Sequence, residues 1–553
     1  MVKLSWIVGL LLVPSAALAA CPDIGIAPRT ITAPATDYVA SKGFSLDEDG
    51  VIVFDYGTRY GGEVGKFANP YFLTNYANAL YRDYLDTQCT SDELLTQFML
   101  QADHLMATAD VDGKVARWTY PFPIEEYELD AGWISGIGQA RIAGVLHRAA
   151  ALTGKASYHE MAEAAMQVYV TPPQDGGVAT IDGEVIWIEE YADPSGTSYK
   201  VLNGHITALG GILDYYEITG EQEWLEVFDR GVAAVRRDIT SFDAGFLSYY
   251  SLYSPGERKY APRGGYNALH VSQLLWLYDI TGEGIFLEWA SRFQAYEAPN
   301  ILFTAKGSVD PAKHGPDGAE GRYGSAYWSH ADFPTWIQAD VPERAYSGLA
   351  VHGNGDKAVP SDFSILARKG AGWTVVETVK GNTAKTFVAS FEQPITTSAF
   401  RVFIESDNGN NNVALQAVLP APTTSGFSAI TNECNYRTAG KNYNFDLAMD
   451  GDPSTAMRVY CDGWLILPTN GLRRLSVDGP AGSLDVSFSD DLTDWRQARP
   501  VEIGAEAIDT EGADFVRLSF TAASTPSISE VWFSSQGIAM ADDEATSALT
   551  APR

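Results

Sequence analysis

Two carboxylates and a phenol stand together at Glu189-Glu190-Tyr191, and after a Gly/Ser/Pro turn comes Lys200-Val201-Leu202-Asn203-Gly204-His205. Carboxylates and phenols move protons. Tyrosine, with a reference pKa of about 10, is a ready acid, and a usable base where cations lower it. A second cluster runs from Phe242-Asp243-Ala244-Gly245 through Tyr249-Tyr250-Ser251-Leu252-Tyr253 to Gly265-Tyr266-Asn267-Ala268-Leu269-His270, and holds Arg258, Lys259 and Arg263. His270 follows Tyr266 by one helical turn on the same face, where it supports rather than reacts. A third cluster is Trp133-Ile134-Ser135-Gly136-Ile137-Gly138-Gln139-Ala140-Arg141; its glycines permit close backbone approach, and Gln139 and Arg141 are donors. The candidate substrate-binding set is Arg141, Gln139, Asn203, Lys200, Arg263 and His270. No His/Cys/Asp spacing suggests a metal site, and there is no phosphate loop or Gly-x-Ser-x-Gly elbow.

The elements that must position these residues are helical as far as about residue 300. Apolar residues recur at three- and four-residue spacing over Tyr71–Tyr84, Glu93–Ala107 and Ile134–Leu152. Leu152-Thr153-Gly154, Ile218-Thr219-Gly220 and Ile280-Thr281-Gly282 each end a helix, and an aromatic-led amphipathic helix follows. Glycine just past a helix is a natural cap, so the repeating unit is a helical hairpin. Stacked hairpins close an (α/α) toroid or form an open solenoid. A toroid would gather the three clusters at one cleft, because each precedes an inner helix.

From about Ile301 short β-type runs such as Phe363–Leu366 and Phe400–Ile404 replace the helical period. A Pro-rich linker, Leu419–Ser425, separates them from a second β region containing Ser483–Phe488 and Phe515–Phe520. The organisation expected is a signal peptide (1–20), an (α/α) toroid (21–300), two β-sandwiches (301–422 and 423–540) and a loose tail (541–553). Lys3, an apolar Leu4–Val13 and Ala17-Leu18-Ala19 make the secretory pattern, and no later stretch is long and apolar enough to span a membrane. The chain is expected to be secreted or periplasmic. Leu18-Ala19-Ala20-Cys21 also has the form of a lipoprotein box, so Cys21 is either lipidated at an outer membrane or paired with Cys89. Export permits disulfides, and Cys434 with Cys461 is the other expected pair. With 38 basic and 70 acidic residues the formal charge is −32. That excludes nucleic acid as a partner and leaves an anionic substrate to be met by local Lys and Arg. The oligomeric state, monomer or dimer, is open.

The three clusters resemble the C-terminal catalytic domain of heparosan-type D-glucuronyl C5-epimerases over about residues 65 to 298. The family's Trp-x-Ser-x-Met-x-Gln-Gly-Gln is similar to Trp133–Arg141, its Glu-Glu-Tyr and Phe-Val-Leu-Asn-Gly to Glu189–Tyr191 and Lys200–Gly204, and its Tyr-His-x-x-His-Ile-x-Gln-Leu to Tyr266–Leu274. The resemblance implies that Glu190, Tyr191, Tyr250 and Tyr266 are catalytic, and that the substrate is a heparosan-like uronate polysaccharide, an anionic partner. The family's aspartate after the tyrosine that matches Tyr250 is Ser251 here, its histidine after the last tyrosine is Asn267, and Arg141 replaces a glutamine. The hydrogen on carbon 5 of a uronate lies alpha to the carboxylate, and a base on one face with an acid on the other inverts that carbon. The same first step followed by loss of the carbon-4 oxygen would make the protein a lyase. A chain that only binds glycan is the third reading. In the β region Asp450-Gly451-Asp452-Pro453-Ser454-Thr455-Ala456 resembles a turn of discoidin-like carbohydrate-binding sandwiches. No cofactor is implied beyond a structural calcium at Asp450 and Asp452.

Overall fold

The computed structural model describes residues 21–535 except 22–23, 26–33, 42, 59–61, 140, 254–257, 298–300, 323–325, 356–357, 424–426, 439–443, 450, 481 and 506. The secretory segment, the tail and Asp450 lie outside the described residues. Two units are delimited by packing. The first extends to Ala179 and takes in Ala192–Gly196 and Ala208–Phe228; the second holds Thr180–Tyr191, Thr197–Thr207 and the chain from Asp229 on.

In the first unit α1 (Ala35–Ser41) precedes a three-stranded sheet of β1 (Phe44–Leu46), β2 (Ile52–Asp55) and β3 (Lys66–Phe67). Then α2 (Pro70–Asp86) pairs with α3 (Asp92–Thr108). Asn69 and Ser91 cap these two helices by accepting from Tyr71 N and Leu94 N, and Pro70 occupies the first helical position, where its missing N–H costs nothing. Cys21 is bonded to Cys89 in the turn between them. The ribbon β4 (Asp110–Asp112) and β5 (Val115–Arg117) leads to α4 (Gly136–Gln139), α5 (Ile142–Thr153) and α6 (Ala156–Met166). The single helix expected over Ile134–Leu152 is therefore broken. Ile134 is taken into β-bridges with Thr119 and Ala192, and the Gln139 amide turns to Trp118, accepting from its N–H at 3.2 Å and donating to its C=O at 3.0 Å. A stretch bonded sideways to another segment cannot also continue a helical ladder, and Gly136 and Gly138 give the helix little to resist with.

The next ribbon, β6 (Ala179–Asp182) with β7 (Val185–Ile188), is followed by α7 (Leu202–Thr219) and α8 (Gln222–Asp238). A third ribbon, β8 (Tyr249–Ser251) with β9 (Lys259–Tyr260), is followed by α9 (Tyr266–Thr281) and α10 (Gly284–Glu297). Each ribbon thus sits between one hairpin and the next. The helical period gave no sign of the ribbons, because each strand has only two to four residues.

The Thr-Gly repeats end their helices identically. Gly154, Gly220 and Gly282 have φ of 70°, 72° and 69°, the left-handed region that a side chain resists. Their N–H groups donate to the carbonyls of Ala150, Tyr216 and Tyr278 at 2.7, 2.7 and 2.8 Å. The hydroxyls of Thr153, Thr219 and Thr281 donate to Ala149, Tyr215 and Leu277 O and accept from Lys155, Glu221 and Glu283 N. Tyr158, Trp224 and Phe286 then begin the returning helices as buried anchors.

Beyond α10 the chain forms two β regions. The first holds β10 (Leu302–Ala305), β11 (Trp328–His330), β12 (Thr335–Gly353), β13 (Pro360–Lys369), β14 (Gly372–Val379), β15 (Thr386–Asp407) and β16 (Val413–Pro422). They form one antiparallel sheet in the order β11-β16-β12-β15-β13-β14, with β10 also on β12. Leu419–Pro422, expected to be linker, is strand instead, with Pro420 opposite Leu349 and Pro422 opposite Tyr346. Here β16 pairs with β12 alone, since β11 reaches only Val413–Leu415, and a proline facing an unpaired edge removes no ladder bond.

The second region comprises β17 (Ile430–Thr431), α11 (Glu433–Thr438), β18 (Met457–Arg458), β19 (Gly463–Pro468), β20 (Arg474–Asp478), β21 (Ser483–Ser489), β22 (Arg499–Glu502), β23 (Ile508–Asp509), β24 (Phe515–Phe520), β25 (Ser527–Ile528) and β26 (Glu530–Ser534). Its sheets are β17-β19-β24-β21-β22, β23-β20-β26 and β18-β25. Cys434 is bonded to Cys461. Hydrogen bonds join α9 and α10 to this region: Ser272 to Glu433, Trp464 to Asp279, Trp495 to Tyr278, and Gly284 N to Thr493. Asp452 is spent on its own turn, accepting from Ser454 N and Oγ, and no cluster of three or more metal-ligating side chains exists among the described residues.

Candidate active site

The site is built at the end of β7. Ile188 N–H donates to His205 Nδ1 at 2.9 Å, so the ring proton is on Nε2, which donates to Gly231 O at 3.0 Å. The imidazole stacks on Trp187 with centroids 4.2 Å apart, and burial holds its pKa down at about 4. A neutral, doubly bonded histidine thus ties β7 to the first turn of α7. The two residues after Ile188 are carboxylates of unlike surroundings.

Glu189 is fully buried and saturated. It accepts from Thr180 Oγ1 at 2.9 Å, from Ser198 Oγ, and from the N–H groups of Tyr199 and Lys200 at 3.2 Å each. These bonds fold residues 198–200 back onto the strand end. Glu190 points the other way. Its Oε1 accepts from Tyr250 OH at 3.4 Å, the Tyr191 hydroxyl also bonds this carboxylate, and Asn203 Nδ2 stands 3.5 Å from Oε2. Burial pushes the Glu190 carboxyl up to about 7 in spite of the tyrosine hydrogen bonds that pull it down. Gly204, in the first turn of α7, is the reason the carboxylate fits, since a methyl group there would collide with the Glu190 side chain.

The tyrosines arrive by backbone pairing. Val201 bridges Ser251, Leu252 N donates to Lys200 O at 3.3 Å, and Tyr253 N to Tyr199 O at 3.2 Å. This register puts Tyr250 over Glu190, with the Tyr191 and Tyr250 hydroxyls 3.2 Å apart. Tyr266, the first residue of α9, meets Tyr250 edge-on with centroids 4.7 Å apart. Beneath them Asn267 accepts from Ser248 N and Oγ at 2.9 and 2.7 Å and donates to Glu297 at 2.8 Å. Ser248 Oγ also meets His270 Nδ1 at 2.8 Å. Burial lowers His270 to about 3, so it stays neutral; its Nε2 is buried without a hydrogen-bond partner among the described residues. Asn267 thus joins the approach to β8 to α9 and α10. Ser251 closes its own turn onto Tyr253 O at 2.8 Å.

Of the sequence-predicted residues, Glu190, Tyr191, Tyr250, Tyr266 and Asn203 are brought together, and His270 lies behind Tyr266. The others are engaged elsewhere. Lys200 pairs with Asp238 at 2.6 Å. Arg263 donates to the carbonyls of Glu297 at 3.1 Å and Glu320 at 3.4 Å. Gln139 and Arg141 belong to the first unit, where Gln139 holds Trp118 and Arg141 bonds Asn75. Sequence reasoning quoted Gly204 and His205 as part of the stretch after Glu190 without giving them a role, and passed over Ser248 and Glu297. Only Gly204 carried a signal, being a poor helix former inside a helix start.

Residues 112–295 match the family model described as the D-glucuronyl C5-epimerase C-terminus, a span that contains all three clusters. The chain is 29% identical over 271 residues to an uncharacterized protein of Methanocaldococcus jannaschii, covering 46% of this chain and 85% of that one. Among solved structures it is similar to the family 32 carbohydrate-binding module of Streptococcus pneumoniae EndoD, at 15% identity and TM-score 0.21, over 23% of this chain and 97% of that one. It is also similar to the family 32 module of C. perfringens NanJ in complex with galactose, at 14% identity and TM-score 0.19, over 22% and 92%.

Proposed function

We propose that the protein is an exported enzyme that inverts carbon 5 of D-glucuronate residues in a heparosan-like polysaccharide, by removing and returning the proton alpha to the carboxylate. The observation that carries this reading is the Glu190 carboxyl, buried, bonded by the hydroxyls of Tyr191 and Tyr250, and pushed up to about 7. A base poised near neutral pH takes a carbon-bound proton far better than a solvated carboxylate does. The epimerase family match over the same residues supports it. Glu190 serves one face of the sugar ring and Tyr266 the other, while Tyr191 and Tyr250 orient Glu190 and relay its proton. The developing negative charge on the uronate is met by tyrosine O–H donors, because Lys200 and Arg263 already hold internal partners.

The deciding experiment is proton–deuterium exchange at uronate carbon 5 in heavy water, followed by NMR on heparosan, chondroitin and other uronans. Exchange with appearance of the inverted sugar is expected. An ultraviolet-absorbing unsaturated product would replace epimerisation by β-elimination, and absence of both would remove the enzymatic reading. Export rests on the secretory pattern at residues 3–19 and on two disulfides. With Cys21 Sγ joined to Cys89 no thiol is left for a lipid; an intact mass carrying a diacylglyceryl group would overturn that.

A further inference from the structure

The sheet of the first β region has one face for the core and one for something else. Ile337, Ala339, Ile365, Phe400 and Val402 are buried on the inner face. Their neighbours along the strands point outward, and paired residues in an antiparallel sheet share a face. Gln338 on β12 pairs with Arg401 on β15, Arg401 with Leu366 on β13, and Arg368 on β13 with Trp373 on β14. Trp336 lies two residues before Gln338 and so on the same side. The outer face therefore carries Trp336 on β12, Arg401 on β15 and Trp373 on β14, with β13 between the last two. The Arg401 guanidinium carbon is 4.3 Å from each indole centroid. Around this ladder Leu302 is 71% exposed and Val375 55%.

The electrostatics are unbalanced. Arg368 is neutralised by Asp340 at 3.1 Å. Among the described residues Arg401 forms no ion pair of its own; it feels the charge of nearby Asp340, but its acceptor is the neutral amide of Gln338, at 2.6 Å from Nη2 and 3.2 Å from Nε. Among the described residues Arg401 Nη1 and the indole N–H groups of Trp336 and Trp373 have no hydrogen-bond partner. Stacking fixes the guanidinium plane and leaves one edge of donors open, a geometry that suits a carboxylate. The indoles beside it are flat apolar surfaces with a polar edge, which suits the C–H faces of pyranose rings. Together they match a polymer whose residues each present an apolar ring face and a carboxylate.

We propose that the Trp336–Arg401–Trp373 ladder is a binding site for an acidic, uronate-bearing polysaccharide, apart from the Glu190 site. The choice of ligand rests on the uronan reading above; the site itself rests on the ladder. It would hold a long chain on the protein between turnovers, so its effect is on binding of polymers and not on chemistry with short oligosaccharides.

The test is affinity electrophoresis of the full-length protein in gels containing heparosan, polygalacturonate or neutral dextran, with tryptophan fluorescence as a second readout. Retardation by uronans and not by dextran is expected, with partial quenching of fluorescence. Arg401→Gln and Trp373→Ala should each weaken uronan binding by about tenfold, the loss of one charge-assisted contact. Arg401→Lys should be intermediate. Circular dichroism and thermal denaturation check that each variant is folded, and carbon-5 exchange on a tetrasaccharide is followed separately. If folded Arg401→Gln and Trp373→Ala bind uronans as the parent does, the ladder is only a brace of the sheet and the proposal is wrong. Equal retardation by dextran would also overturn it. Ladder-dependent uronan binding without carbon-5 exchange would sustain this site and remove the catalytic reading.

Discussion

The stretch that enters α5 and the stretch that enters α7 look alike as sequence and differ in what their polar groups do. Both place glycine in a helix start beside large polar side chains. Before α5, Gln139 spends its amide on both backbone groups of Trp118, and Arg141 is bonded to Asn75. Before α7, Glu189 is saturated by four donors, but among the described residues Glu190 meets only tyrosine hydroxyls and a distant amide. Donor and acceptor types do not separate a brace from a reacting group. Saturation does, because a group bonded to backbone has no capacity left for a substrate.

The largest effect expected from this contrast is in Glu190→Gln, which keeps shape and removes the base. Carbon-5 exchange should fall by about 10²-fold or more. Near-normal exchange in this variant would transfer the role to Tyr250 or Tyr266. Next is Gly204→Ala, a methyl group placed against the Glu190 side chain. Misplacing a reacting group by about 1 Å costs up to about 10²-fold, so exchange should drop by about one to two orders of magnitude while tetrasaccharide KM changes little. A KM effect alone would mean that Gly204 serves substrate binding and not Glu190.

Gln139→Ala should act on the other side of the comparison. It strands two backbone groups of Trp118, costing about 1–3 kcal/mol of stability in a denaturant titration. Turnover per folded molecule should stay within about twofold. Turnover loss without destabilisation would make Gln139 a substrate contact after all.

The smallest effect is in pH dependence. Glu190 is pushed up to about 7 when folded, above its ordinary 4.5. The folded chain therefore holds a proton that the unfolded chain releases. This contribution to stability is full below 4.5 and is lost as pH rises through about 7. Glu189 behaves alike, being pushed up to about 7 by its burial. Stability should decline between those pH values, and Glu190→Gln should make the decline shallower. An unchanged slope would show that Glu190 titrates as an ordinary carboxylate.

The sequence by itself determined the helical hairpins, through the 3.6-residue period and through Thr-Gly pairs whose capping is a local matter of φ and one hydroxyl. It also determined the β texture beyond Ile301, and it put forward Glu190, Tyr191, Tyr250 and Tyr266 as candidates that the fold brings together. The tertiary structure alone decided the break at Arg141, the strand at Leu419–Pro422 and the separate fates of Glu189 and Glu190. Each depends on a partner far away in the chain: Trp118 for Gln139, Leu349 for Pro420, Ser251 for Val201. Local propensity records what a residue tends to do alone. Which of its hydrogen bonds are already taken is fixed only when distant segments pair, and that is where the Glu190 carboxylate acquires its buried, tyrosine-bonded character.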